Sequence, residues 1–148
     1  MEKIVVFGAT GSIGKSTLDV ITLHPDRYQV FALTANVSVD EMEKLCLTHE
    51  PMIAVMMDSA AAEDLRLRLY GATSTEVQWG AEALVNLASH SEVDTVMAAI
   101  VGFAGLEAAI AAAKAGKRLL LANKEALVSA GSIFMDAVKF GGATLLPV

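Results

Sequence analysis

Apolar and polar positions along the chain fall into two alternating rhythms. Short β-branched or apolar runs, bounded by glycine, proline or charged residues, have the signature of buried strands. They occur at Lys3–Phe7 ("KIVVF"), Tyr28–Thr34, Met52–Met57, Thr75–Gln78, Thr95–Ala99, Arg118–Ala122 and Ala143–Val148. Between them, longer stretches repeat their apolar residues every three or four positions, which predicts helices at Ile13–Leu23, Val39–His49, Ala60–Tyr70, Ala81–Ser89, Gly105–Ala115 and Lys124–Phe140. Pro25 prevents the first helix from continuing. Ser38 with Glu41 reads as a capping box at the start of the second helix. Strand–helix alternation of this kind predicts an α/β fold, a mostly parallel twisted sheet of about seven strands with helices on both faces. The terminal "GGATLLPV" reads as a buried strand that stops without a covering helix or polar tail, and carries the expectation that these residues form the first domain of a longer protein.

Composition narrows the partners. The 148 residues amount to one domain, and 54% hydrophobic with 19% charged residues is a packed, globular composition. A formal charge of −6 with no cluster of Lys or Arg excludes nucleic-acid backbones and anionic membrane surfaces as expected partners. A phosphate-bearing ligand would have to be held by local dipoles. The single Cys46 forms no internal disulfide, which suits a reducing cytoplasm. The apolar window "VMAAIVGFAGLEAAIAAA" has the length of a membrane span, but its two glycines and Glu107 read as strand, turn and helix.

The first strand runs into "GATGSIGKST", residues 8–17. A nucleoside-triphosphate P-loop needs four residues between its first glycine and Gly-Lys, and here five separate Gly8 from Gly14 and Lys15. The added residue redirects the backbone N–H groups that would curl around phosphate. Read as G-x-x-G-x-x-G, Gly8 lets the chain leave the strand sharply, Gly11 admits a pyrophosphate close to the backbone, and Gly14 lets the helix pack closely. Lys15 then becomes an ordinary helix residue. The pattern points to a Rossmann-like dinucleotide fold, although glycine triplets also serve plain strand-to-helix turns.

In such sheets ligands gather beyond the carboxyl ends of the strands. Thr10, Gly11, Ser12 and Ile13 bring hydroxyls and N–H groups to a helix N-terminus suited to phosphates. After the second strand stand Asn36 and Ser38, without the carboxylate that would bond a ribose 2′-OH, so a 2′-phosphate is admissible and NADPH is favoured over NADH. No Arg or Lys in that segment stands ready to clamp the phosphate. After the fifth strand, Ala99, Ile100 and Val101 are small or apolar and would let a cofactor lie flat; after the sixth, Asn123, Lys124 and Glu125 are polar. A capped helix would explain the last three equally. His24, His49 and His90 are scattered without metal-ligand spacing. "IAVMMD", ending at Asp58, has the form of a Walker B strand, yet Asp58 also sits where a helix cap belongs.

Together "GATGSIGKSTLDV", "VMAAIVGFAGL", "LLANKEALVSAG" and "LLPV" resemble, in order along the whole chain, the N-terminal domain of the 1-deoxy-D-xylulose 5-phosphate reductoisomerase family. The resemblance implies an NADPH-dependent oxidoreductase and isomerase of the non-mevalonate isoprenoid pathway. It implies a divalent metal (magnesium or manganese), a phosphorylated sugar substrate, inhibition by fosmidomycin, and a cytoplasmic homodimer. By the same resemblance Thr10, Gly11, Ser12 and Ile13 would hold cofactor phosphates, and Ala99, Ile100 and Val101 would line its path. Asn123 and Glu125 would meet the nicotinamide end, and Lys124 would reach toward substrate. The family's metal ligands begin in a D-S-E segment directly after "LLPV", so these residues are expected to bind cofactor without turning substrate over. Where the family often has A-G-K-N, with its lysine on the 2′-phosphate, this chain has Ala35, Asn36, Val37 and Ser38. A lost charge-assisted bond costs about 1.5–3 kcal/mol, which implies a weakened NADPH preference. A dinucleotide sensor without catalysis and a P-loop nucleotidase are the alternative classes.

Overall fold

The computed structural model describes residues 1–99, 103–122 and 124–147. Seven strands alternate with six helices: β1 (Glu2–Phe7), α1 (Ser12–Leu23), β2 (Tyr28–Ala35), α2 (Val39–His49), β3 (Ile53–Met56), α3 (Ser59–Leu69), β4 (Glu76–Trp79), α4 (Ala81–Ala88), β5 (Thr95–Ala98), α5 (Phe103–Lys114), β6 (Arg118–Leu121), α6 (Lys124–Gly141) and β7 (Thr144–Pro147). All pairings are parallel, in the order β4-β3-β2-β1-β5-β6-β7. The chain winds outward from β1 in one direction to β4. It then returns to β1's other side at β5 and winds the opposite way. That reversal, between β1 and β5, is the topological switch point at which open α/β sheets bind ligands.

Strand periodicity assigns the two faces. Val5 and Phe7 of β1 point to a core shared with Leu84 of α4, Ala108 and Ala112 of α5 and Phe134 of α6. Ile4 and Val6 point the other way, to Leu18 of α1, Met42 of α2 and Leu65 of α3. Successive side chains alternate faces, so a strand that is apolar throughout, such as the "VVF" of β1, must be covered on both sides. This arrangement uses the buried alanines of α5 as spacers. With no bulk beyond Cβ, they let that helix lie close to the sheet between α4 and α6.

The expected elements stand, and one burial expectation is corrected. β7 is an edge strand, paired only with β6 among the described residues, and Leu145 and Leu146 are half-buried, not enclosed. A run of apolar residues does not distinguish an edge strand from a central one. The apolar window divides into β5 and α5, and no helix among the described residues is long and apolar enough to cross a membrane.

Candidate functional site

The glycine turn sits at the carboxyl end of β1. Gly8 has φ +75°, a left-handed conformation that a side chain would strain. Its N–H donates to Thr34 Oγ1 at 3.2 Å, and the next N–H, of Ala9, donates to the Thr34 carbonyl at 2.8 Å. Thr34 lies in β2 and is buried, so the neighbouring strand holds the turn by two bonds. The Gly11 N–H closes the turn onto the Gly8 carbonyl at 3.1 Å. Gly14 is needed for packing: a Cβ there would stand 2.2 Å from the Gly8 oxygen and 2.8 Å from Ala9 Cα. Helix α1 therefore starts almost in contact with the backbone of the turn it leaves.

The start of α1 is open. Gly11 occupies the N-cap in an extended conformation without a side-chain cap, and the first turn carries no acid. The first described bond back into the helix runs from Lys15 N–H to the Gly11 carbonyl, 2.9 Å. The N–H groups of Ser12, Ile13 and Gly14 precede it, where helices have no internal partner. Ser12 and Ile13 are exposed and Thr10 is half-buried. A helix N-terminus with bare N–H groups, on a turn whose glycines leave room, fits an anion such as a dinucleotide pyrophosphate. The other helix starts on this face differ. Asp40 and Glu41 already occupy the first turn of α2, and Asp58 caps α3, its Oδ2 accepting the Ala61 N–H at 2.9 Å. Asp58 is thus a helix cap, and the Walker B reading loses its carboxylate.

Other positions singled out in the sequence meet at the same edge. Ala99, just past β5, donates its N–H to the Phe7 carbonyl at 3.2 Å and so lies against the turn. Asn36, Val37 and Ser38 follow β2 beside it and are exposed. Lys124 opens α6 two residues beyond Ala122, whose N–H bonds the Ala98 carbonyl at 3.2 Å. Ile100, Val101 and Asn123 lie outside the described residues, as do the side chains of Lys124 and Glu125.

One local expectation is corrected. Ser38 is the N-cap of α2, but its hydroxyl makes no cap bond. Its backbone, φ −77° and ψ 74°, departs from the extended form that aims a cap hydroxyl at the N2 or N3 N–H. The Glu41 carboxylate that would complete the box is instead 3.2 Å from Lys15 Nζ. Lys15 stands exposed in α1, as a helix residue, and its ammonium joins the first turn of α1 to the first turn of α2. Thr34 escaped the sequence reading. Its only signal there is a lone hydroxyl in the apolar run "VFALTA".

Chemistry elsewhere on the described surface is sparse. Arg68 of α3 binds Asp40 at 2.6 Å, Asp64 at 3.0 Å and Glu43 at 3.2 Å, tying α3 to α2. His90 packs on Phe31 with ring centroids 5.0 Å apart. Among the described residues no three His, Cys, Asp or Glu side chains converge as metal ligands would. Burial in apolar surroundings pushes the Cys46 thiol up to about 12, so it is a core residue, not a nucleophile.

A parallel sheet whose switch point carries a glycine turn and a bare helix start defines a Rossmann-like domain of the dinucleotide-binding class. Within that class the particular family follows from comparison. The family model for 1-deoxy-D-xylulose 5-phosphate reductoisomerase matches residues 4–131, and the chain belongs to that family. The 1-deoxy-D-xylulose 5-phosphate reductoisomerase of Methylobacillus flagellatus is 60% identical over 148 residues, covering all of this chain and 37% of that protein. The Zymomonas mobilis reductoisomerase solved with NADPH superposes with TM-score 0.93 at 49% identity, over 99% of this chain and 38% of that one. A reductoisomerase solved with fosmidomycin and magnesium gives 0.95 at 44% identity, over 99% of this chain and 37% of that one. The chain thus spans little more than a third of the length of the relatives it matches.

Proposed function

We propose that this chain is the NADPH-binding domain of a 1-deoxy-D-xylulose 5-phosphate reductoisomerase. The observation that carries the reading is the open N-terminus of α1 at the switch point, on a turn fixed to β2 by Thr34. N–H groups of Ser12 and Ile13, with the Thr10 and Ser12 hydroxyls, hold the pyrophosphate. The turn is in place before the ligand arrives, so little ordering cost falls on binding. Asn36 and Ser38 face the adenosine ribose. Ala99, with Ile100 and Val101, lines the path across the switch point, and Asn123 and Glu125 orient the nicotinamide end. Lys124 reaches toward the sugar phosphate.

Bound NADPH supplies the hydride. The protein's part is to fix the face from which it is delivered and to keep water away. In the complete protein the reaction isomerises and reduces 1-deoxy-D-xylulose 5-phosphate to 2-C-methyl-D-erythritol 4-phosphate. On this reading the ligands of the divalent metal, the catalytic residues and the C-terminal part belong to protein beyond these 148 residues, as does sensitivity to fosmidomycin. A cytoplasmic homodimer is the assembly this reading expects. The cofactor part of the reading is supported by the family match and by the NADPH and magnesium complexes of its relatives.

The test is calorimetric titration of the chain with NADPH, with NADH, and with ATP and magnesium. Saturable NADPH binding with no ATP binding is expected. Binding of ATP with magnesium, or of no dinucleotide, refutes the proposal.

A further inference from the structure

The segment after β2 carries no cation, yet two cations from elsewhere in the fold reach the first turn of α2. One is Arg68, which three carboxylates hold at once. The other is Lys15, whose only described charged partner is Glu41, at 3.2 Å, with both side chains about half exposed. An exposed single pair of this kind contributes little and is readily given up. Arg68, by contrast, would have to leave a network. Lys15 is thus the cation free to change partners at the ribose end of the site, and the hydroxyl of Ser38, the N-cap of the helix that carries Glu41, makes no cap bond.

We propose that Lys15 recognises the 2′-phosphate of NADPH, together with Ser38, and that Glu41 holds and competes for its ammonium when that phosphate is absent. The assignment rests on the NADPH reading above and deepens it. It supplies the cation that residues 36–38 lack, from a position in sequence before β2 instead of after it. The chemistry is a charge-assisted hydrogen bond between ammonium and phosphate, with the hydroxyl as a second donor. The acids of α2's first turn explain the competition. Arg68 neutralises Asp40 and Lys15 neutralises Glu41, so moving Lys15 onto the phosphate leaves Glu41 facing an anion unpaired. Glu41 therefore lowers the affinity that Lys15 provides.

The experiment is calorimetric titration of NADPH and NADH into the 148-residue chain and its Lys15→Met, Lys15→Arg and Glu41→Gln variants, with thermal unfolding to check that each remains folded. Lys15→Met is expected to weaken NADPH about tenfold while NADH changes by less than about twofold. Lys15→Arg should restore the preference. Glu41→Gln should tighten NADPH severalfold and leave NADH alone. Equal effects of Lys15→Met on the two dinucleotides, or none, would overturn the assignment and leave the cofactor reading standing. Failure of the unmodified chain to bind either one would overturn both.

Discussion

Gly14→Ala sets two known effects of one methyl group against each other. In a helix interior, alanine is favoured over glycine by about 0.5–1 kcal/mol, because glycine loses more backbone freedom on folding. At Gly14, however, the new Cβ would lie 2.2 Å from the Gly8 oxygen, 2.8 Å from Ala9 Cα and 3.0 Å from Ala9 C. All three are backbone atoms of the turn, so no flexible side chain can yield. Overpacking costs about 1–3 kcal/mol, and contact with fixed backbone places it at the upper end. The net expectation is a loss of about 2 kcal/mol, a substantial part of a domain's stability. Gly131 of α6 is the control, since a Cβ there meets nothing within 4 Å. Gly131→Ala should therefore gain the full helix preference. Urea unfolding followed by circular dichroism, with unchanged dependence on urea, measures both. Relief of the clash must move Gly8 and Ala9, and with them Thr10–Ile13, so NADPH affinity should fall in the Gly14 variant only. If Gly14→Ala stabilises the chain as Gly131→Ala does, the close contact between α1 and the turn is not real.

Thr34→Val removes the acceptor of the Gly8 N–H while keeping the side chain's shape; it should cost about 1–3 kcal/mol in urea unfolding, and Thr34→Ser should recover most of it. Equal stability of the valine variant would show that the turn does not depend on the Thr34 hydroxyl. Cys46, buried and with its thiol pushed up to about 12, should resist iodoacetamide at pH 8 in the native chain and react once urea unfolds it, as mass spectrometry would show. Burial holds the His49 ring below its ordinary value, against an opposing pull from Asp19. Its native state thus prefers the neutral ring: stability should be complete above about pH 6.5 and decline as pH falls through the lowered native value. His49→Gln should flatten that decline, and an unchanged slope would exclude the ring as its source.

How much of this architecture is legible in the sequence depends on the range of the interaction. The sequence bounds helix α2 at Val39 and His49 from its apolar spacing and the Ser38–Glu41 pair at its start, and the structure has the same limits. Local pattern suffices there because the helix buries only one stripe, with Met42 and Cys46 at its centre. The glycine turn is legible for a similar reason, since Gly8 and Gly14 answer to local geometry. The contacts that shape the site are not. Thr34 lies 26 residues from Gly8, and Lys15 meets Glu41 only because β1 and β2 are neighbours. Such contacts need the strand order first. The capping box failed for the same reason: the motif Ser38 to Glu41 is local, but a lysine from another helix took the glutamate. Strand β7 is itself legible, but its burial is not, because an apolar run does not say how far the faces of a strand are covered.

A chain of formal charge −6 that takes a phosphate ligand works against its own long-range field. At physiological salt that field is screened beyond about 8 Å, whereas the N–H groups at the start of α1 act at contact distance. The molecule can therefore be acidic overall and still offer an anion site, provided the donors are held rigidly and left bare. The turn meets the first condition through both neighbours of β1: β2 through Thr34, and β5 through the Ala99 N–H on the Phe7 carbonyl. Glycine at the N-cap of α1, and the absence of an acid in its first turn, meet the second. At the ribose end the second condition fails, because α2 begins with Asp40 and Glu41. A mobile cation is the physical answer to that arrangement. Discrimination between the two dinucleotides should therefore depend on Lys15 and on salt far more than binding at the pyrophosphate does.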